Sequence, residues 1–199
     1  MVKAKRDLLV IAFKSQQAWD AWLTSQPAQS KGLWLKLAKK SSGIASVSKA
    51  EALDAVLCHG WIDGQLDSFD DDHWLIRFTP RQSTSKWSEK NRTRALWLVE
   101  LRRMRPAGLT EIERAKNDGR WSAAYAPQST AQVPDDLRAA LAKNKRAKSF
   151  FETLDGTNRY AILHRIHTAK KPETRIARIA KFVTMLTEGK TIYPLRSQR

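Results

Sequence analysis

The chain has 199 residues, enough for one large domain or two small ones with a real core. Its hydrophobic share of 42% and eight tryptophans exclude a disordered polymer, and a single cysteine, Cys58, excludes an internal disulfide or a thiolate cluster for zinc or iron–sulfur. The net charge is +16: residues up to 130 hold 21 basic and 14 acidic side chains, and the shorter remainder holds 15 and 6. Such a field attracts nucleic acid, anionic lipid or acidic proteins, and it equally serves solubility alone.

In chain order, residues 8–13 (Leu-Leu-Val-Ile-Ala-Phe) read as a buried strand. The N-terminal apolar run is shorter than a signal-peptide core and no small-residue cleavage pattern follows, so a cytoplasmic location is expected. No stretch approaches the roughly 20 apolar residues of a transmembrane helix. Ser15 caps a predicted helix to about Ser25, with Ala18, Trp19, Trp22 and Leu23 on one face. Residues 31–39 alternate as a half-buried strand, Leu33, Leu35 and Leu37 one way, Trp34, Lys36 and Ala38 the other. Ser48 and Glu51 have capping-box spacing, and the helix they open carries Leu53, Val56 and Leu57 and stops at Gly60.

Residues 61–67 and 73–79 predict a hairpin around the acidic turn Ser68 to Asp72. Ser88 begins a helix carrying Ala95, Leu96, Leu98, Val99 and Leu101. Pro106-Ala107-Gly108 breaks it, and Thr110 and Glu113 have the spacing to cap a short helix ending near Gly119. Residues 122–133 form a connector. From Pro134 onward every segment is helical. Leu137, Leu141, Phe150, Phe151, Leu154, Ile162 and Ile166 supply apolar positions, as does a final stripe of Ile176, Ile179, Ala180, Val183 and Leu186; Pro172 and Gly189 bound the last helix. The expected fold class is α+β: a mixed sheet with packed helices over 1–126, followed by an all-helical region over 134–190.

Several blocks carry a family resemblance. They are Gly32-Leu33-Trp34-Leu35-Lys36; Ala52-Leu53-Asp54 leading to Cys58-His59-Gly60-Trp61-Ile62-Asp63-Gly64-Gln65; Arg77-Phe78-Thr79-Pro80-Arg81; Ser85-Lys86-Trp87-Ser88 with Asn91; Met104 to Leu109; and Asp118-Gly119-Arg120-Trp121. In these the chain resembles the bacterial YdeI/OmpD-associated family, and residues 134–189 look like that family's C-terminal helical module. The family's label, bacteriocin-protection, implies a role in stress or bacteriocin tolerance and carries no established reaction, cofactor or catalytic residue. Contact with an envelope protein is implied by the family name alone, and the absence of an export signal stands against it.

The centre of the chain is the candidate site. With Asp67 opposite His73, Asp63 faces Arg77, Ile62 faces Phe78, and Trp61, Asp63, Gln65, His73, Arg77 and Thr79 share one polar face; a two-residue shift keeps the faces and pairs Gln65 with Arg77 instead. Asp63 and Arg77 are then either a cross-strand ion pair of about 0.2–1 kcal/mol or an orienting carboxylate and a guanidinium fork that holds a carboxylate or phosphate. Arg81, Lys86, Ser85 and Ser88 lie where a helix start attracts anions, or where the serines simply cap it. Most tryptophans belong to the core; Trp61 and Trp87 are the expected exceptions, flanking the polar patch. Adjacent helical side chains diverge by about 100°, so Cys58 and His59 make a poor nucleophilic pair and Cys58 reads as a small buried hydrophobe.

The acidic turn Asp70 to Asp72 lacks the spacing of a calcium loop, and His164 and His167 lack a companion ligand, so neither a metal nor a cofactor is expected. The expected ligand-binding set is His59, Trp61, Asp63, Gln65, Arg77, Arg81, Lys86, Trp87 and Asn91, taking a small anionic ligand. Two alternatives stay open. One is nonspecific nucleic-acid contact through the basic C-terminal helices (Lys143, Lys145, Arg146, Lys148, Lys170, Lys171, Arg175, Arg178, Lys181). The other is an enzyme with Asp63 or His59 as general base.

Overall fold

The computed structural model describes residues 8–27 and 29–195; Met1 to Asp7, part of the N-terminal stretch weighed above as a signal, lie outside the described residues. The chain divides into two compact units, Met1–Ala124 and Tyr125–Arg199. The architecture is α+β: a mixed sheet with helices, then a helical C-terminal part.

In the first unit, β1 (Val10–Ala12), α1 (Gln16–Thr24), β2 (Leu33–Ala38), α2 (Lys49–Cys58), β3 (Trp61–Ser68), β4 (His73–Pro80), α3 (Glu89–Glu100) and α4 (Pro106–Asn117) follow in order. The sheet order is β1-β2-β4-β3, with β1 parallel to β2 and the other pairs antiparallel. The leucine alternation of β2 explains its central place. Leu33, Leu35 and Leu37 pair with Phe78, Ile76 and Trp74 and meet Trp19, Leu23, Ala52, Ala55 and Val56 of α1 and α2 in one core cluster. Ser15 and the Ser48–Glu51 capping box start α1 and α2 as the sequence predicts.

β1 departs from expectation. It is a three-residue edge strand with Val10 36% exposed, and only Ile11 and Phe13 lean on the core. An edge strand has one neighbour to bury it, so an apolar run of six does not guarantee burial.

A second cluster joins α2 to α3 and α4 through Leu57, Cys58, Trp87, Ala95, Leu98, Ile112 and Ala115. Here the reading of Pro106-Ala107-Gly108 as a break is corrected. Pro106 is the first residue of α4, as proline's fixed φ favours, and Thr110 bonds back to the Pro106 carbonyl inside the helix rather than capping one. Gly108 is there because α4 crosses the end of α2 closely: a Cβ at 108 would lie 2.3 Å from the Cys58 carbonyl oxygen. Of the apolar residues the helix was read to carry, Leu96 and Val99 on α3 and Leu101 at its C-cap are exposed.

The second unit packs α5 (Asp135–Ala142), α6 (Lys145–Thr153), α7 (Gly156–His167) and α8 (Pro172–Thr187) around Leu137, Leu141, Phe151, Leu154, Ile162 and Ile166. Its α8 stripe is Ile179, Phe182 and Leu186; Ile176, 68% exposed, and Ala180 lie outside it. Asn158, 1% exposed, ties this unit's C-terminal segment down by accepting the Ile192 and Tyr193 N–H groups. No helix among the described residues is long and apolar enough to cross a membrane.

Candidate functional site

The hairpin pairs in a different register from the expected one. Ile62 faces Thr79 and Asp63 faces Phe78; after a bulge between Asp63 and Leu66, Leu66 faces Ile76 and Asp67 faces Leu75. Neighbours along a strand point to opposite faces. Asp63 therefore shares the face of Phe78, while Arg77, paired with Trp34, lies on the other. The expected Asp63–Arg77 pairing, as ion pair or as ligand fork, is thus overturned. The bulge itself is the physical reason: it sets Gly64 and Gln65 against the single residue Arg77, which shifts the pairing by one residue. Gln65 is exposed at the bulge. Asp63 instead accepts a long hydrogen bond, 3.4 Å, from the Asn91 amide of α3.

Three of the predicted residues do converge. His59, Trp61 and Arg81 line a cleft of about 550 Å³, together with Gln82 and with Glu111 and Arg114 of α4. The local sequence builds it. His59 caps α2, and Gly60 turns the chain at φ 74, a conformation that favours glycine, so that Trp61 begins β3 at once. The Arg81 N–H then bonds the Gly60 carbonyl at 3.0 Å, locking the end of β4 onto this junction.

Arg81 is only 4% exposed. Its guanidinium lies 3.7 Å from the centre of the Trp87 ring, and Nη1 donates to the Lys86 carbonyl at 3.3 Å. Trp61 and Trp87, expected to stand outside the core, are in it, at 5% and 2% exposure. Trp87 is the floor on which Arg81 rests, and Trp121 meets it edge-on at 4.8 Å. The exposed tryptophan is Trp97, 39% exposed beneath Arg94. Lys86 contributes its carbonyl to the site. Ser88 caps α3 through the Asn91 N–H and Ser85 accepts the Gln82 N–H, so both serines serve the local backbone.

The His59 side chain is 9% exposed, and its Nε2 lies 2.9 Å from Asp20 Oδ1 of α1. Arg105 holds the second Asp20 oxygen, also at 2.9 Å. Burial opposes the charge of Asp20, but the hydrogen bonds from His59 and Arg105 outweigh it and keep the carboxyl below its ordinary range. Burial pushes the Cys58 thiol up, which suits the inert role expected of it.

Sequence reasoning missed Asp20, Glu111 and Arg114, and also Asp54, a 6% exposed carboxylate held by Arg94 through two 2.6 Å hydrogen bonds. One signal was available for Asp54: it falls among the inward positions Ala52, Ala55 and Val56 of an otherwise apolar helix. In the acidic turn, Asp70 accepts from the Asp72 N–H and from His73, which is ordinary turn chemistry. His164 and His167 line a separate pocket of about 80 Å³ in the second unit, beside Tyr125, Tyr160 and Arg175. Among the basic helices, Arg175 is clamped to Asp136 and donates to the Ile166 carbonyl, while Arg178 donates to the Arg165 carbonyl. Among the described residues no group of three or more His, Cys, Asp or Glu could hold a metal ion.

Fold and site together define an α+β unit with a cationic, tryptophan-backed cleft, followed by a basic helical unit. The chain belongs to the family described as Domain of unknown function (DUF8412), matched over residues 11–111, just over half its length, and its residues 130–189 match the family described as Bacteriocin-protection, YdeI or OmpD-Associated. The resemblance read from the sequence is thus borne out in the helical module; the first match spans most of the blocks quoted for it upstream. Neither the curated proteins nor the solved structures yield a match.

Proposed function

We propose that the chain binds a small anionic ligand in the cleft of the first unit, with Arg81 as the anion-holding group, in keeping with a role in stress or bacteriocin tolerance. One observation carries this reading: a guanidinium almost wholly removed from water, yet lining a cleft, and pre-oriented by the Trp87 ring and the Lys86 carbonyl. Desolvation strengthens its pull on an anion, and the fixed planar fork lowers the ordering cost of binding one. Arg114 at the rim adds charge, and Trp61 offers an apolar wall. Isothermal titration with inorganic phosphate, nucleotides and short carboxylates tests it. Saturable binding that Arg81→Gln abolishes is expected; binding unchanged in that variant removes Arg81 from the role.

A second reading, catalysis with His59 as general base, is favoured by the Asp20–His59 pair. A carboxylate fixes one ring nitrogen, and the other has no protein partner among the described residues while the side chain lines the cleft. Chromogenic ester and phosphoester substrates test it, since turnover no faster than that of His59→Asn would sink it. Polyanion contact through the second unit has less support, because two of the nine cations named for it, Arg175 and Arg178, are committed to partners within the unit.

A further inference from the structure

Glu111 makes a demand on this cleft that a simple anion leaves unmet. The residue is 9% exposed. Its Oε1 forms an ion pair with Arg114 Nη1 at 2.9 Å, and Oε2 is buried with no hydrogen-bond partner among the described residues. Gly60 makes the arrangement tight: a Cβ there would lie 3.1 Å from Glu111 Cγ and 2.9 Å from the Ala107 carbonyl oxygen. The stem of Glu111 is therefore pressed against the very junction that supplies His59 and Trp61, and the residue lines the same cleft.

Buried carboxylate oxygens in folded proteins nearly always find a donor, from protein, water or ligand. An anion drawn toward Arg81 enters the same cleft as the negative charge of Glu111, which repels it. A protonated amine next to the anionic group reverses that penalty and supplies the missing donor. Resting on the reading of Arg81 as the anion holder, we infer that the cleft takes a small zwitterion, an amine-bearing phosphate or carboxylate, with the anionic group toward Arg81 and the ammonium on Glu111 Oε2. Glu111 then selects among the anions that Arg81 attracts.

The test compares O-phosphoethanolamine with ethyl phosphate, which share a phosphate monoester and differ in the amine. Calorimetry on the full chain is expected to show the amine-bearing ligand binding roughly tenfold to a hundredfold more tightly, the worth of one charge-assisted hydrogen bond. In Glu111→Gln the preference should vanish while ethyl phosphate still binds, with affinity equal to or above that of the wild type. Equal affinities in the wild type, or a preference that survives in E111Q, overturn the role of Glu111 and leave Arg81 standing. Binding of neither compound removes the anion reading itself and the zwitterion with it. The wild-type comparison alone decides the matter if E111Q fails to fold.

Discussion

Gly108→Ala probes the crossing on which the cleft depends. The new Cβ would sit 2.3 Å from the Cys58 carbonyl oxygen and 2.6 Å from the Met104 methyl. Ordinary contact begins near 3.4 Å, so α4 and the end of α2 must separate by about 1 Å. The Met104 methyl can swing away, but the backbone carbonyl cannot do so freely, because it also accepts the Arg105 N–H at 3.1 Å. Overpacking of this kind costs about 1–3 kcal/mol, against about 1 kcal/mol returned by alanine's better helix propensity. With a backbone atom as the obstacle the upper end applies, and the net loss is about 2 kcal/mol. For a unit of this size that lowers Tm by roughly 8 °C. Gly64→Ala is the control: its Cβ would meet nothing closer than 3.6 Å, its φ is not positive, and it should shift Tm by little. Calorimetric melting of the two variants checks this. Gly108→Ala melting at or above Gly64→Ala would refute the close crossing, and with it the placement of Glu111 and Arg114 one to two turns further along α4.

Asp54→Ala should cost about 2 kcal/mol in urea unfolding, below the 3–5 kcal/mol of a wholly buried pair, because Arg94 and Arg103 are 41% and 39% exposed and regain water; a loss under about 0.5 kcal/mol would show the pair to be ornamental. The hydrogen bond from Arg175 holds the Asp136 carboxyl below its ordinary 3.8. A carboxyl depressed in the folded state stabilises above its unfolded pKa and loses that contribution as pH falls through the folded value. Urea midpoints measured from about pH 5 to pH 2 should therefore decline less steeply in Asp136→Asn than in the wild type, and parallel declines would contradict the linkage. Cys58, 4% exposed with its thiol pushed up by burial, should react with a disulfide reagent only as fast as the chain opens; rapid labelling of the native protein would count against its burial.

What could be read from the sequence was what local chemistry decides. The Ser48–Glu51 box, the leucine alternation of β2, the glycine at the end of α2 and the α+β class depend on residues within a few positions of each other. The hairpin register was not local in that sense. A bulge between Asp63 and Leu66 shifts the pairing by one residue and moves Asp63 and Arg77 to opposite faces, although the flanking pattern favoured their pairing. Asp20 meets His59 across 39 residues and Arg105 across 85, partners that no spacing rule connects. Glu111 was hidden differently, for the capping-box spacing of Thr110 and Glu113 on either side of it suggested a helix start when α4 had begun at Pro106. The tryptophans misled by chemistry alone: Arg and Lys beside Trp87 suggested an open stacking surface, whereas Arg81 covers the ring and both are buried.

The central claim is that an anion is held at Arg81 in the first unit. Chemical-shift mapping of the ¹⁵N-labelled chain during titration with ethyl phosphate tests it most directly. The account predicts saturating shifts at the Arg81 side chain, the Trp61 indole, His59 and Gln82, absent in Arg81→Gln. Shifts confined to the lysines and arginines of residues 143–148 and 170–181, or unsaturated shifts spread over all basic residues, would contradict it.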